Sequence, residues 1–158
     1  MIAVESPMPL ILGFNIVQYS QIPGETVVAD PYRGPIQANC RFLFCIENKG
    51  RAPLPLLELC IEKFAGTTLP QRPVYIHVAP WGLVLEKGPL WIRADDAMIE
   101  ITPADATAAA AAYRNNGAFW VYGYFAYRNL LSERVEHKFL ARWDLTNGFM
   151  AENRPAYT

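Results

Sequence analysis

Ala38-Asn39-Cys40-Arg41-Phe42-Leu43-Phe44-Cys45-Ile46-Glu47 is the stretch that decides the fold class. Ala38, Cys40, Phe42, Phe44 and Ile46 fall on one side of a two-residue alternation. Asn39, Arg41, Leu43, Cys45 and Glu47 fall on the other, which is the period of a strand lying against a core. This register expects Cys40 inside and Cys45 outside. The turn Asn48-Lys49-Gly50-Arg51-Ala52-Pro53 follows, with Gly50 suited to a positive φ. Alternation then resumes, with Leu57, Leu59 and Ile61 set against Glu58, Cys60 and Glu62.

Outward from this strand-turn-strand unit the chain keeps the same rhythm. Leu10 to Gln18 alternates as a first strand, and Val74–Val78, Leu83–Glu86, Leu90–Ala94 and Met98–Ile101 are four further short candidates, with a Lys87-Gly88-Pro89 turn between the middle two. Thirteen prolines and ten glycines punctuate these runs at the spacing of a sandwich or barrel. The segment 20–37 is rich in turn residues around Thr26-Val27-Val28, so it reads as a long loop with one edge strand and as a candidate binding loop. One segment breaks the β pattern. Thr102 as N-cap, Pro103 at the first helical position, Asp105 in the first turn and a stop at Gly117 predict a short helix over 103–114. Phe119–Arg128 and Val135–Trp143 form a closing hairpin joined by Asn129–Arg134, and 146–158 reads as an irregular tail. The expectation is a mainly β, two-sheet antiparallel sandwich forming a single domain over 1–158.

Composition narrows the function. Hydrophobic residues make up 52% and charged residues 18%, so core-forming side chains are abundant and some apolar surface is left for a partner. Fourteen basic against fifteen acidic residues, with no block of like charge, leave no electrostatic footprint for nucleic acid. The apolar stretch from Pro7 to Val17 is broken by Pro9, Gly13 and Asn15, and it is too short for a membrane span and lacks the flank of an export signal. Three scattered cysteines, Cys40, Cys45 and Cys60, point to reduced thiols and a cytoplasmic setting, with Cys45–Cys60 the one conceivable pair.

Two places resemble known sequences. The turn Glu47-Asn48-Lys49-Gly50-Arg51-Ala52-Pro53 is similar to the Asn-x-Gly-x-x-Pro/Ala turn of immunoglobulin-like bacterial domains. The closing segment Val121-Tyr122-Gly123-Tyr124-Phe125-Ala126-Tyr127-Arg128-Asn129 with His137-Lys138-Phe139 resembles the last hairpin of a group of uncharacterised bacterial proteins. It departs from their pattern at Asn129, where Asp is usual, at Ser132, where Gly is usual, and at Leu140, where Cys is usual. The resemblance implies an immunoglobulin-like sandwich and carries no activity, cofactor or functional residue.

No familiar enzyme signature is present: there is no Gly-x-Ser-x-Gly elbow, phosphate loop or His-Glu-x-x-His. His137 falls on the apolar face of its strand, and a register opposite Tyr127 expects a buried Tyr127–His137 polar pair. His77 falls beside Tyr75 on a polar face. A zinc site would need both histidines to converge with Cys45 or Cys60, so no metal and no cofactor is expected. Asp95, Asp96 and Glu100 read as a solvated turn.

The most informative feature is a strand that is apolar on both sides. Trp120, Tyr122 and Tyr124 share one face, while Phe119, Val121, Phe125 and Tyr127 share the other, and Gly123 marks a bulge or a close backbone approach. A two-layer sandwich covers only one face of a strand, so the 103–114 helix, a second subunit or a stacked ligand must cover the other. The expected function is a non-catalytic protein-interaction or structural module, a subunit of a homo-oligomer or larger assembly. The alternative is a small-ligand or carbohydrate-binding module with Trp120, Tyr122 and Tyr124 as its stacking platform.

Overall fold

The computed structural model describes residues 9–20, 28–38, 40–93 and 100–158. The Pro23-Gly24 turn, Thr26-Val27, Asn39, the Asp95-Asp96 pair and the first half of the Met98–Ile101 strand candidate lie outside the described residues. The chain is mainly β. One sheet has the order β2-β1-β3-β6 and the other β5-β4-β7-β8-β9, and every pairing is antiparallel. The strands are β1 (Pro9–Ser20), β2 (Val28–Pro31), β3 (Cys40–Asn48), β4 (Leu54–Gly66), β5 (Val78–Leu85), β6 (Gly88–Arg93), β7 (Ala118–Arg128), β8 (Arg134–Asp144) and β9 (Gly148–Ala151). A single helix, α1 (Pro103–Arg114), precedes β7 among the described residues.

The main core lies between the sheets. Ile16, Cys40, Phe42 and Ile46 from the first meet Leu54, Leu56, Leu59, Ile61, Phe119, Val121, Phe125 and Trp143 from the second. Alternation set this up in β3 and β7, with two corrections. On β4 the irregular pairing between Leu56 and Glu58 puts Leu56 rather than Leu57 in the core with Leu59 and Ile61, and Leu57 packs in an outer cluster. Cys45, expected outside, is fully buried. It sits on the central strand β3, registered with Gly13 on one side and Trp91 on the other, and the alternation that assigns a side chain to a face says nothing of whether that face is covered. A bulge between Ile11 and Gly13 also shifts the register of β1, so that Ile11 rather than Leu12 stands opposite Ile46.

The β3–β4 turn carries the chain from one sheet to the other. Gly50 is not at positive φ there. The turn is organised by buried Asn48, whose Oδ1 accepts from Gly50 N at 3.0 Å while its Nδ2 donates to Ala52 O and, across the core, to Leu85 O. Three satisfied bonds remove the cost of burying the amide and tie the crossover to the end of β5.

Helix α1 begins and ends on local signals. Thr102 and Asp105 form a reciprocal capping box. The left-handed residue at the stop is Asn116, at φ 60, not Gly117. Gly117 is needed for space, because a Cβ there would lie 2.1 Å from Gly66 O. Ala109 and Ala112 are buried as α1 packs on β4 and β7 from the core side, and Lys63 anchors it through Asp105 at 2.6 Å.

Two further expectations change. The segment expected to be an irregular tail contains β9, because Asp144 Oδ1 accepts from Thr146 N and Asn147 N and Gly148 takes φ +81, closing a tight hairpin onto β8. The described part of the expected binding loop is edge strand β2 followed by a segment pinned to that hairpin. There Trp143 Nε1 donates to Gly34 O at 2.8 Å, Gly34 N donates to Leu145 O, and Ile36 is buried in the core. The segment Val74 to His77 is unpaired; pairing with β4 begins at Val78 and runs through most of the expected 83–86 strand as one element, β5.

Candidate functional site

Strand β7 is buried from Ala118 to Ala126 on both faces. Its odd residues enter the core, and its even residues form the centre of a second layer outside the five-stranded sheet. Gly123 permits this arrangement by close approach, since a Cβ there would lie 1.8 Å from Cys60 O on β4. The cover over the even face is not α1, which packs on the other side. Leu69 and Tyr75, from the irregular connection between β4 and β5, and Tyr157, from the tail, lie over Trp120, Tyr122 and Tyr124. Those three rings are 4%, 6% and 6% exposed, so the stacking platform expected for a ligand is closed by the chain itself.

Edge-to-face contacts hold the layer: Tyr75 on Tyr124 and Tyr157 on Tyr122, each with centroids 5.0 Å apart. Most polar tips find partners. Tyr122 donates to Val74 O, Tyr157 to Pro70 O, Trp120 Nε1 to Glu152, and Tyr124 to Glu58 Oε1 at 2.7 Å. That bond from Tyr124, together with Arg134 at 2.7 Å, holds the Glu58 carboxyl below its usual range, while burial and Glu58 push the Tyr124 phenol up. Tyr75 is the exception. Its hydroxyl is buried with no hydrogen-bond partner among the described residues, and burial, then Cys60 and neighbouring groups, push its pKa to about 12. Cys60, beneath it, is pushed up to about 12 by burial and by Glu62 and Glu58. All three cysteines are buried thiols outside any disulfide, and Cys45 and Cys60 lie in different sheets, which removes the pairing left open by the sequence.

The one arrangement with the look of acid–base chemistry is Glu62 with His77. The Glu62 side chain is 6% exposed and its Oε1 accepts from His77 backbone N and from the ring Nδ1, both at 2.6 Å. In this contact the carboxylate oxygen accepts and Nδ1 donates. A carboxylate-backed imidazole is how general bases are oriented. Here, among the described residues, no three His, Cys, Asp or Glu side chains converge on a metal position. The pair fastens the 67–77 connection to the sheet through the His77 backbone and ring.

His137 is placed differently from the expected pair. It stands opposite Phe125 and stacks on its ring at 4.9 Å, while Tyr127 stands opposite Val135, because the hairpin closes at Arg128 and Arg134. Burial lowers the His137 pKa. An open cleft of about 360 Å³ beside the end of α1 has its charged groups already engaged, Arg142 by Glu152 and Asp144 by the β8–β9 turn.

Among the described residues, the longest run of exposed apolar side chains lies at one sheet edge. Strand β5 ends the five-stranded sheet, and along it and its approach Val74, Ile76, Val78, Leu83 and Val84 are 58%, 70%, 44%, 37% and 51% exposed. Tyr75 packs into the aromatic layer while its neighbours Val74 and Ile76 are exposed, so fastening Tyr75 and His77 to the sheet is what presents them. From Pro73 to Leu85 there is no Asp, Glu, Lys or Arg. The alternation of 74–78 was readable; its dependence on Glu62 was not. No family model, no curated protein and no solved structure matches this chain. No helix among the described residues is long and apolar enough to cross a membrane.

Proposed function

We propose that this chain is a non-catalytic interaction module, an immunoglobulin-like sandwich that binds a protein partner along the outer edge of its five-stranded sheet. The observation that carries this reading is the uncharged, exposed apolar run from Val74 to Val84, on a terminal strand and the unpaired segment that leads into it. Natural sheet edges are normally blunted with lysines or other charges, because unpaired backbone groups next to apolar side chains invite another chain. This edge has no Asp, Glu, Lys or Arg of its own, and contiguous exposed apolar surface on a folded protein marks an interaction site. The buried aromatic layer behind it gives the edge a rigid backing. We carry the cytoplasmic setting with this reading on the three buried thiols.

The test is a photo-crosslinking residue placed at Ile76 in the source cell, with the same residue at exposed Thr107 on α1 as control. Covalent products from position 76 and none from position 107 support the reading. No product from position 76 overturns it.

A further inference from the structure

Resting on the reading of β5 as an interaction edge, we infer that its occupant is a second copy of this chain, with the two β5 strands antiparallel across a two-fold axis. An antiparallel strand edge is self-complementary under that symmetry, each backbone meeting the other in the same geometry. The side chains meet the same condition. The register with β4 places Val78 opposite Cys60 and Val84 opposite Pro55, with irregular pairing between them around Trp81 and Gly82. A two-fold axis passing at Trp81 then sets Val78 of each copy beside Val84 of the other, twice.

Charge permits this pairing. The thirteen residues from Pro73 to Leu85 carry no Asp, Glu, Lys or Arg and the whole chain has a formal charge of -1, so copies approach without the repulsion that like-charged edges impose. A foreign partner selected by charge would have nothing on this edge to select.

The size of the patch sets the strength. The five exposed side chains offer about 400 Å² per copy, and with the edge backbone a pair buries on the order of 1,000 Å² in total, the low end of specific interfaces. Pro80 and the irregular pairing shorten the ladder that can form, so apolar contact carries more of the association than hydrogen bonds do. The result is a reversible dimer with a dissociation constant in the micromolar range, about 1 to 100 μM.

Two measurements decide it. Sedimentation of the purified chain from about 1 to about 500 μM should show the mass rising from one copy to two. Val84→Lys, at a half-exposed position whose fold can be checked by near-ultraviolet circular dichroism, should weaken dimerisation at least about tenfold, because each of the two symmetric contacts then buries an ammonium against Val78. A mass that stays at one copy throughout, or a Val84→Lys protein that folds and dimerises as well as the parent, overturns the proposal. The product crosslinked from position 76 in the cell separates this from the broader reading. Twice the chain's mass supports the second copy, a different mass overturns it while leaving the edge as an interaction surface, and no product overturns both.

Discussion

Removing the hydroxyl of Tyr75 should make this protein more stable, and removing that of Tyr124, its neighbour in the same layer, should make it less so. The Tyr75 hydroxyl is buried and has no hydrogen-bond partner among the described residues, so the folded state carries its desolvation cost, about 1–3 kcal/mol. Tyr75→Phe keeps the ring and its edge contact with Tyr124 at 5.0 Å, and opens only a small void. A net gain of about 1 kcal/mol follows, which in a chain of 158 residues raises Tm by about 2–4 °C. Tyr124 donates at 2.7 Å to the Glu58 carboxylate. Tyr124→Phe loses that bond and strands part of an acceptor, and because Glu58 keeps some solvent contact the loss is about 1–2 kcal/mol. The assay is urea unfolding of the parent and both variants, comparing midpoints at a common slope. Alkaline pH acts on both rings, since both phenols are raised in the folded chain. The Tyr75 pKa is raised to about 12, so its contribution to stability is whole below the unfolded value of about 10 and is lost as pH climbs towards 12. Tyr75→Phe should flatten the alkaline decline. If Tyr75→Phe lowers stability by about 1 kcal/mol or more, the hydroxyl has a partner and the account of it as unsatisfied is wrong.

Three other outcomes follow from single positions. Gly123→Ala places a Cβ against the Cys60 carbonyl, which cannot yield without parting β4 from β7, so it should cost about 3 kcal/mol or more and show reduced soluble yield and a lowered urea midpoint. Ser132 sits at φ 59 in the β7–β8 loop, where a side chain is strained, so Ser132→Gly should raise stability by about 0.5–1 kcal/mol; no change in the urea midpoint would show that the loop relaxes freely. His137 has its pKa lowered by burial, so the folded state binds fewer protons than the unfolded chain and stability falls as pH drops below about 6.5. His137→Phe preserves the stack on Phe125 and should show a smaller loss of stability between about pH 7.5 and about pH 5.5, measured by denaturant unfolding on either side of the unfolded pKa.

What the sequence disclosed was local, and what it withheld was long-range. Thr102, Pro103 and Asp105 gave α1 its bounds because capping is settled within four residues. The two-sided apolar character of β7 announced a second layer, and Gly123 a close approach, because both follow from alternation along one strand. The identity of the cover did not, since Tyr75 and Tyr157 reach β7 from remote segments whose own patterns name no partner. Cys45 was misplaced for the same reason. The β9 strand was legible and missed: Asp144 followed by Asn147-Gly148 is a hairpin signal. The edge at β5 was visible as apolar residues, but its exposure depends on Glu62 holding His77, a contact between separate segments that no local pattern announces.

Proteins are made from the amino end, and the cover over the outer face of β7 is completed by a residue that comes after every strand it lies on. β4, β7 and β8 have all left the ribosome before Tyr157 does, so each new molecule passes through a stage in which the edge of this apolar layer lacks the ring that packs on Tyr122. Such a patch is what chaperones grip and what drives nascent chains to clump. A stop codon a few triplets ahead of Tyr157 therefore acts on this protein twice, by removing the ring that packs on Tyr122 and by prolonging that exposed stage.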